Sequence, residues 1–170
     1  ITRLLITVPP GFMKSLLTDV FWPAWQWGPR GQPHQRFIAF SYGAHLTERD
    51  NDRFRQLITS AEYQKMYGPR APRGEIVQGV GLRNKTTLKV MNTATGWKLA
   101  SSVSGIGTGE RADYVICDDL HNVKEQESET VREETVRWFF EALSDRFNSL
   151  DSGALIIIMQ RVHEDDVAGA

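Results

Sequence analysis

The sequence predicts an α/β fold: a mostly parallel sheet with helices on both faces, plus a small antiparallel β-meander. Three observations predict it. Four short runs, Arg3 to Val8, Arg36 to Tyr42, Ala112 to Asp119 and Gly153 to Met159, are apolar almost throughout, the pattern of strands covered on both faces. Segments with helical spacing of apolar residues separate most of them, and alternating strands and helices favour parallel units. One interval breaks the alternation. There Ile76–Val80, Thr86–Asn92 and Trp97–Val103 are joined by turn residues alone, Gly81 to Asn84 and Thr95-Gly96, as in a meander.

The chain of 170 residues is long enough for one domain with a sizeable core. A net charge of −1 argues against coating nucleic acid by bulk charge, although a local basic patch is compatible with it. The single cysteine, Cys117, excludes an internal disulfide and a cysteine-rich zinc site. No apolar run reaches membrane-spanning length and Ile1 to Leu4 lacks a secretory signature, so a reducing cytoplasm fits. The chain opens on a strand without Met and stops where a helix is expected to begin, Asp165 to Ala170. It is therefore expected to be a single domain, residues 1–170, cut from a longer protein.

In order, the first strand runs into Val8-Pro9-Pro10-Gly11-Phe12-Met13-Lys14-Ser15. Lys14 to about Trp22 reads as a helix that Pro23 would end or kink. Trp22, Trp25 and Trp27 either stack on a base or pack the edge of the core. After the strand Arg36 to Tyr42, His45 to Ser60 reads as an amphipathic helix with Leu46, Phe54, Leu57 and Ile58 on its apolar side, and Glu62 to Tyr67 adds a turn. Gly68 to Gly74 is a basic Pro/Gly loop, suited to a phosphate backbone or simply to solvent. Beyond the meander, Ser104 to Arg111 is a Gly-rich loop that no helix follows directly. Glu125 to Asn148 is a long helix with Val131, Thr135, Trp138, Ala142 and Phe147 near one face; its run of glutamates reads as a solvated face.

The chemistry sits at strand ends. Strand, tight loop, Lys-Ser and helix is the arrangement by which backbone N–H groups, an ammonium and a helix start hold a nucleotide's phosphates. On that reading Pro10, Gly11, Phe12, Met13, Lys14, Ser15 and Leu16 bind the nucleotide, and the Ser15 hydroxyl ligates Mg²⁺. Against the usual pattern, Val8 and Met13 stand where two glycines are expected. The stretch also fits an ordinary strand–turn–helix with a surface lysine. Asp118 and Asp119 end a buried strand, so one carboxylate can hold Mg²⁺ while its neighbour orients the attacking water; a polar strand end is the plainer alternative. Gln160 ends another strand and can sense a γ-phosphate or position water. Arg111 or Arg161 can stabilise transition-state charge, or form a surface salt bridge. His163 to Asp166 reads as a helix cap with first-turn acids rather than a metal site.

Three segments together resemble the ATPase domain of the large terminase subunit, the DNA-packaging motor of tailed bacteriophages. They are Val8 to Ser15 followed by Phe21-Trp22-Pro23-Ala24-Trp25, then Gly105 to Asp119, then Met159 to Gly169; Ser41-Tyr42 and the helix after it are also similar. The resemblance implies ATP and Mg²⁺ as cofactors, with Lys14 on the phosphates, Ser15 and Asp118 on the metal and Asp119 as the catalytic acid. It also implies Arg111 as an arginine finger acting on the next subunit of a ring and Gln160 as the coupling residue. The partners implied are double-stranded DNA, the portal protein of a procapsid, a small terminase subunit and further copies of the chain in a homo-oligomeric ring, in the host cell cytoplasm. It places the Gly153–Met159 strand between the lysine-loop strand and the Asp118 strand. An adenine-binding segment upstream and a nuclease domain downstream are expected outside these residues. Met13 replaces a usual Gly, so its position must be reached without positive φ or at some strain. Asp119 stands where many relatives have Glu, one methylene shorter. Two other readings remain open at this point: a nucleotide-binding switch or assembly module with little hydrolysis, and another nucleic-acid-dependent ATPase such as a helicase.

Overall fold

The computed structural model describes residues 2–69, 80–84, 86–103, 105, 109–125, 128–149 and 151–170. Six strands form one sheet: β1 (Thr2–Thr7), β2 (Arg36–Ser41), β3 (Lys89–Met91), β4 (Trp97–Ser102), β5 (Tyr114–Asp118) and β6 (Ala154–Met159). Their order is β1-β6-β5-β2-β4-β3, and every pairing is parallel except β3 with β4. The helices are α1 (Trp22–Trp27), α2 (Ala44–Thr59), α3 (Ala61–Tyr67) and α4 (Glu129–Ala142). None among the described residues is long and apolar enough to cross a membrane.

Successive strand side chains point to opposite faces, so the apolar runs fill two cores at once. Ile38, Phe40, Val115, Cys117, Leu155 and Met159 face one core, closed by Phe139 and Leu143 at and just beyond the end of α4. Phe37, Ile116, Ile156 and Ile158 face the other, closed by Val20, Trp27, Phe54, Ile58 and Tyr63. Trp27 is buried and its indole N–H donates to Gln35 O at 2.9 Å, while Trp22 packs edge-on against Phe37 and Tyr114. Two of the three tryptophans are thus core residues; Trp25 is half exposed, with Arg30 over its ring.

Four expectations need correction. β1 is not buried on both faces: it is the sheet edge, and Leu4 and Leu5 are about half exposed (50% and 48%). The helical segment that follows it leans over β6, β5 and β2 instead. The meander is seen only in part, as antiparallel pairing of β3 with β4 and an antiparallel bridge between Leu82 and Asn92. β4 belongs to the main sheet, parallel to β2, because its residues Trp97 to Ala100 are buried on both faces; β3 then adds a three-residue antiparallel edge. Residues 76–79 of the first expected meander strand lie outside the described residues, as do 70–74 of the basic loop and most of the Gly-rich loop. Third, the helix from Lys14 does not stop at Pro23. Leu16–Phe21 widens into a π-helical turn in which the Trp22 N–H donates to Leu17 O, five residues back, and α1 continues to Trp27. Proline lacks an N–H and its ring crowds the carbonyl four residues earlier; the wider turn accommodates both and lets the helix run on. Fourth, residues 165–170 form turns, not a helix. The buried Asp166 carboxylate accepts from the N–H groups of Val162, Ala168 and Gly169 and from Arg161, so it organises a turn rather than capping a helix.

α2 is fixed to the sheet by polar contacts that its apolar spacing did not suggest. Asn51 is fully buried; its Nδ2 lies 2.7 Å from Thr87 O and 3.2 Å from Lys98 O, and its Oδ1 accepts from Lys98 Nζ at 2.7 Å. Lys98 is itself fully buried, with its ammonium 3.9 Å from Asp19. A buried ammonium stripped of its acceptor is costly, so Asn51→Ala is expected to lower stability by about 3 kcal/mol. Urea denaturation checks this; a loss under about 1 kcal/mol would show that Lys98 finds another partner.

Candidate functional site

Parallel pairing brings three strand ends to one rim. Ile6 of β1, Ile158 of β6 and Asp118 of β5 lie in register, so the residues beyond them share one edge of the sheet. The backbone there is joined across strands: Val8 N–H donates to Met159 O, Asp119 N–H to Ile158 O and Tyr42 N–H to Asp119 O. Ligands of open parallel sheets bind at this kind of rim.

The loop after β1 turns sharply. Gly11 has φ +88, which glycine adopts freely, but Met13 has φ +54. Met13 therefore takes the strained of its two expected alternatives, at a cost of about 1–2 kcal/mol for an L-residue. Its side chain and that of Phe12 are mostly exposed (66% and 65%), so little packing offsets the strain. The turn delivers Lys14 back over the sheet edge. Lys14 Nζ lies 2.5 Å from Asp119 Oδ1, and that same oxygen accepts from Gln160 N–H at 3.1 Å. Asp119 has φ +45, a region where Asp is better tolerated than most residues; this backbone turn swings its carboxylate to the same side as that of Asp118.

Asp118 is buried, and burial pushes its carboxyl up to about 6. A hydrogen bond from Ser15 and the charge of Lys14 pull down, while Asp119 and Asp50 push up. Its Oδ1 is buried with no hydrogen-bond partner among the described residues. An orphaned carboxylate oxygen beside a serine hydroxyl fits a hard cation, which would supply the missing partner. Mg²⁺ usually takes only one or two carboxylates, the rest of its ligands being waters and phosphate oxygens. Ser15 and Asp118 are the residues that could hold it; no group of three or more His, Cys, Asp or Glu with metal-binding arrangement exists among the described residues.

A pocket of about 350 Å³ opens on these groups, lined among others by Ser15, Tyr42, Arg49, Asp118, Asp119 and Gln160. Of the residues singled out from the sequence, the structure brings together Lys14, Ser15, Asp118, Asp119 and Gln160. Pro10, Gly11, Phe12 and Met13 form the loop above, and Leu16 begins the helix behind. Arg111 is elsewhere: it precedes the start of β5 by three residues, so it sits exposed at the opposite rim of the sheet. Arg161 turns into the C-terminal turn, where Asp166, His163 O and Glu164 O take its donors. Sequence reasoning missed Tyr42, Arg49 and His121. The available signal was the position of Tyr42 and Arg49 just after the carboxyl end of β2. His121 is buried, its Nε2 accepts from Val167 N–H, and burial depresses its basicity, so it stays neutral.

No protein-family model matches the chain, and no curated protein matches it significantly.

Two stability tests follow from this geometry. Met13→Gly removes the positive-φ strain and is expected to stabilise by about 1 kcal/mol, whereas Met13→Val should destabilise. Equal unfolding midpoints for all three would contradict the strained turn. A raised Asp118 pKa means that the folded state holds the proton better than the unfolded chain. The cost of ionisation is therefore absent below about pH 4, appears between pH 4 and 6, and is full above. Asp118→Asn is expected to be more stable than the parent by about 2 kcal/mol at pH 8, with the difference gone by pH 4; a gain independent of pH would refute it.

Proposed function

We propose that this domain binds ATP with Mg²⁺ and hydrolyses it, as the ATPase domain of a DNA-packaging motor of the large-terminase type. The observation that carries the ATPase reading is a pocket at the carboxyl rim of a parallel sheet lined by a hydroxyl and two carboxylates, Ser15, Asp118 and Asp119, with the Lys14 ammonium paired to Asp119 beside it. The position of β6 between β1 and β5 supports it as well. The motor reading rests in addition on the similarity of the three sequence segments.

In this mechanism the Val8–Ser15 loop surrounds the phosphates and Lys14 exchanges Asp119 for the β- and γ-phosphate oxygens. That exchange frees Asp119, which Gln160 N–H keeps aimed at the rim. Asp119 then orients a water toward the γ-phosphorus. The water oxygen bonds to phosphorus, the bond to the β,γ-bridging oxygen breaks, and ADP leaves with that electron pair. The proton of the water passes to Asp119 or to a phosphate oxygen. Mg²⁺, held by Ser15 and Asp118, would neutralise charge on the phosphates. Arg111, at the far rim, can contribute only to the site of a neighbouring copy.

Lys14→Ala is expected to cut Mg²⁺-dependent phosphate release from ATP by about 100-fold or more with the fold intact, since the ammonium offsets charge on the transferred group. Unchanged turnover in a folded variant would reject the ATPase reading. A second reading, a nucleotide-binding module with little hydrolysis, is favoured by Met13 and by the tie between Asp119 and Lys14. ATP binding without phosphate release, with DNA present, would select it.

A further inference from the structure

The geometry points to Arg49 as the guanidinium that contacts the γ-phosphate of a bound nucleoside triphosphate within the same chain. This inference rests on the nucleotide reading of the pocket and names a residue that the sequence motifs did not. Arg49 lies on α2, which starts just beyond the carboxyl end of β2, and its side chain lines the pocket with Ser15, Asp118 and Asp119. It is close enough to feel the charges of Asp118 and Asp19.

The guanidinium is held. Its Nε donates to Asp50 Oδ1 at 3.0 Å and its Nη2 to Asp50 Oδ2 at 2.8 Å, a two-point contact that fixes the plane of the group. Asp50 is only 3% exposed, and its Oδ1 also accepts from Arg53 Nη1 at 3.0 Å. The fork leaves Nη1 of Arg49 with no acceptor among the described residues, on a side chain that is 46% exposed. A pre-oriented donor with spare hydrogens beside two carboxylates suits an anion carrying more charge than a diphosphate: each phosphate oxygen can accept from it, and no reorganisation of the arginine is needed. The other arginines singled out from the sequence are spent or distant, Arg161 in its own turn and Arg111 at the opposite rim.

The contact favours triphosphate over diphosphate and stabilises charge as the γ-phosphoryl group departs. The test uses the full chain with Mg²⁺ and measures affinity for ADP and for ATPγS alongside ATP turnover. In Arg49→Ala, ATPγS affinity should fall about tenfold or more and kcat about 100-fold, with ADP affinity within about twofold. Arg49→Lys should recover part of both. Arg53→Ala removes the other cation on Asp50 but lies off the pocket lining, so each value should stay within about threefold of the parent. The inference is overturned if Arg49→Ala keeps the parent's preference for ATPγS over ADP, or if Arg53→Ala loses it equally, which would mark a merely structural role. Should Arg49→Ala fail to fold, Arg49→Lys carries the same comparison. A parent chain that binds ATPγS without turning over ATP sinks the hydrolase reading alone, because the affinity ratio still reports on Arg49; a parent that binds neither nucleotide sinks both.

Discussion

The ion pair between Lys14 and Asp119 joins residues 105 positions apart in the chain, and the shape of the rim depends on it. Neither group is deeply exposed, at 10% and 26%, so the contact is stronger than a solvated surface pair and still reachable from the pocket. It can form only because β1, β6 and β5 run the same way and in register. A parallel sheet gathers the forward ends of its strands on one side, whatever the distance between them in sequence. The turn at Met13 and the turn at Asp119, both at positive φ, then aim two side chains at each other. Strain at functional rims of this kind persists when the surrounding structure over-determines it, and here two buried cores do so.

Behind the rim lies a second layer of charge. Asp19, Asp50, Lys98 and Asp118 are all buried, and the charge of Asp50 bears on the ionisation of the other three. Burial pushes Asp19 up to about 7, and neither of its carboxylate oxygens has a hydrogen-bond partner among the described residues. A core built for stability alone would replace such groups with apolar ones. Their effect is to make the underside of the site polar and its acids reluctant to ionise, a field that any cation entering the pocket would relieve.

Much of the architecture was legible in the sequence. The runs Arg36 to Tyr42, Ala112 to Asp119 and Gly153 to Met159 carried enough unbroken apolar character to declare themselves central strands, whereas the helix expected over Glu125 to Asn148 is shorter, Glu129–Ala142, because the Ser128 side chain caps its start. The site acids and Lys14 were legible because they sit at the ends of these runs. The misreadings have local causes. β1 looks apolar but occupies the edge, and edge position is set by the topology of the whole sheet. Trp97 to Ser102 alternates like a meander strand, yet Lys98 is fully buried with Asn51 and Asp19, which no periodicity reveals. Asp50 is buried although its partners, Arg49 and Arg53, are on the surface, a burial that the apolar spacing of the helix does not reveal.

The π turn at Leu16–Phe21 has a consequence for the length of the chain. Such a turn holds one residue more than the α-helical path between the same two ends, and here that residue absorbs the missing amide of Pro23. Loss of a single codon within this stretch would draw the backbone back to ordinary helical pitch and set the Pro23 ring against the carbonyl four residues earlier. The angular phase of Trp22 and Trp27 against the sheet would be preserved, whereas the same deletion in α2 would rotate Phe54 and Ile58 out of the core by about 100°. A deletion behind the lysine therefore keeps the phase of the tryptophans and is felt at Pro23, whereas one in α2 is felt in the core itself.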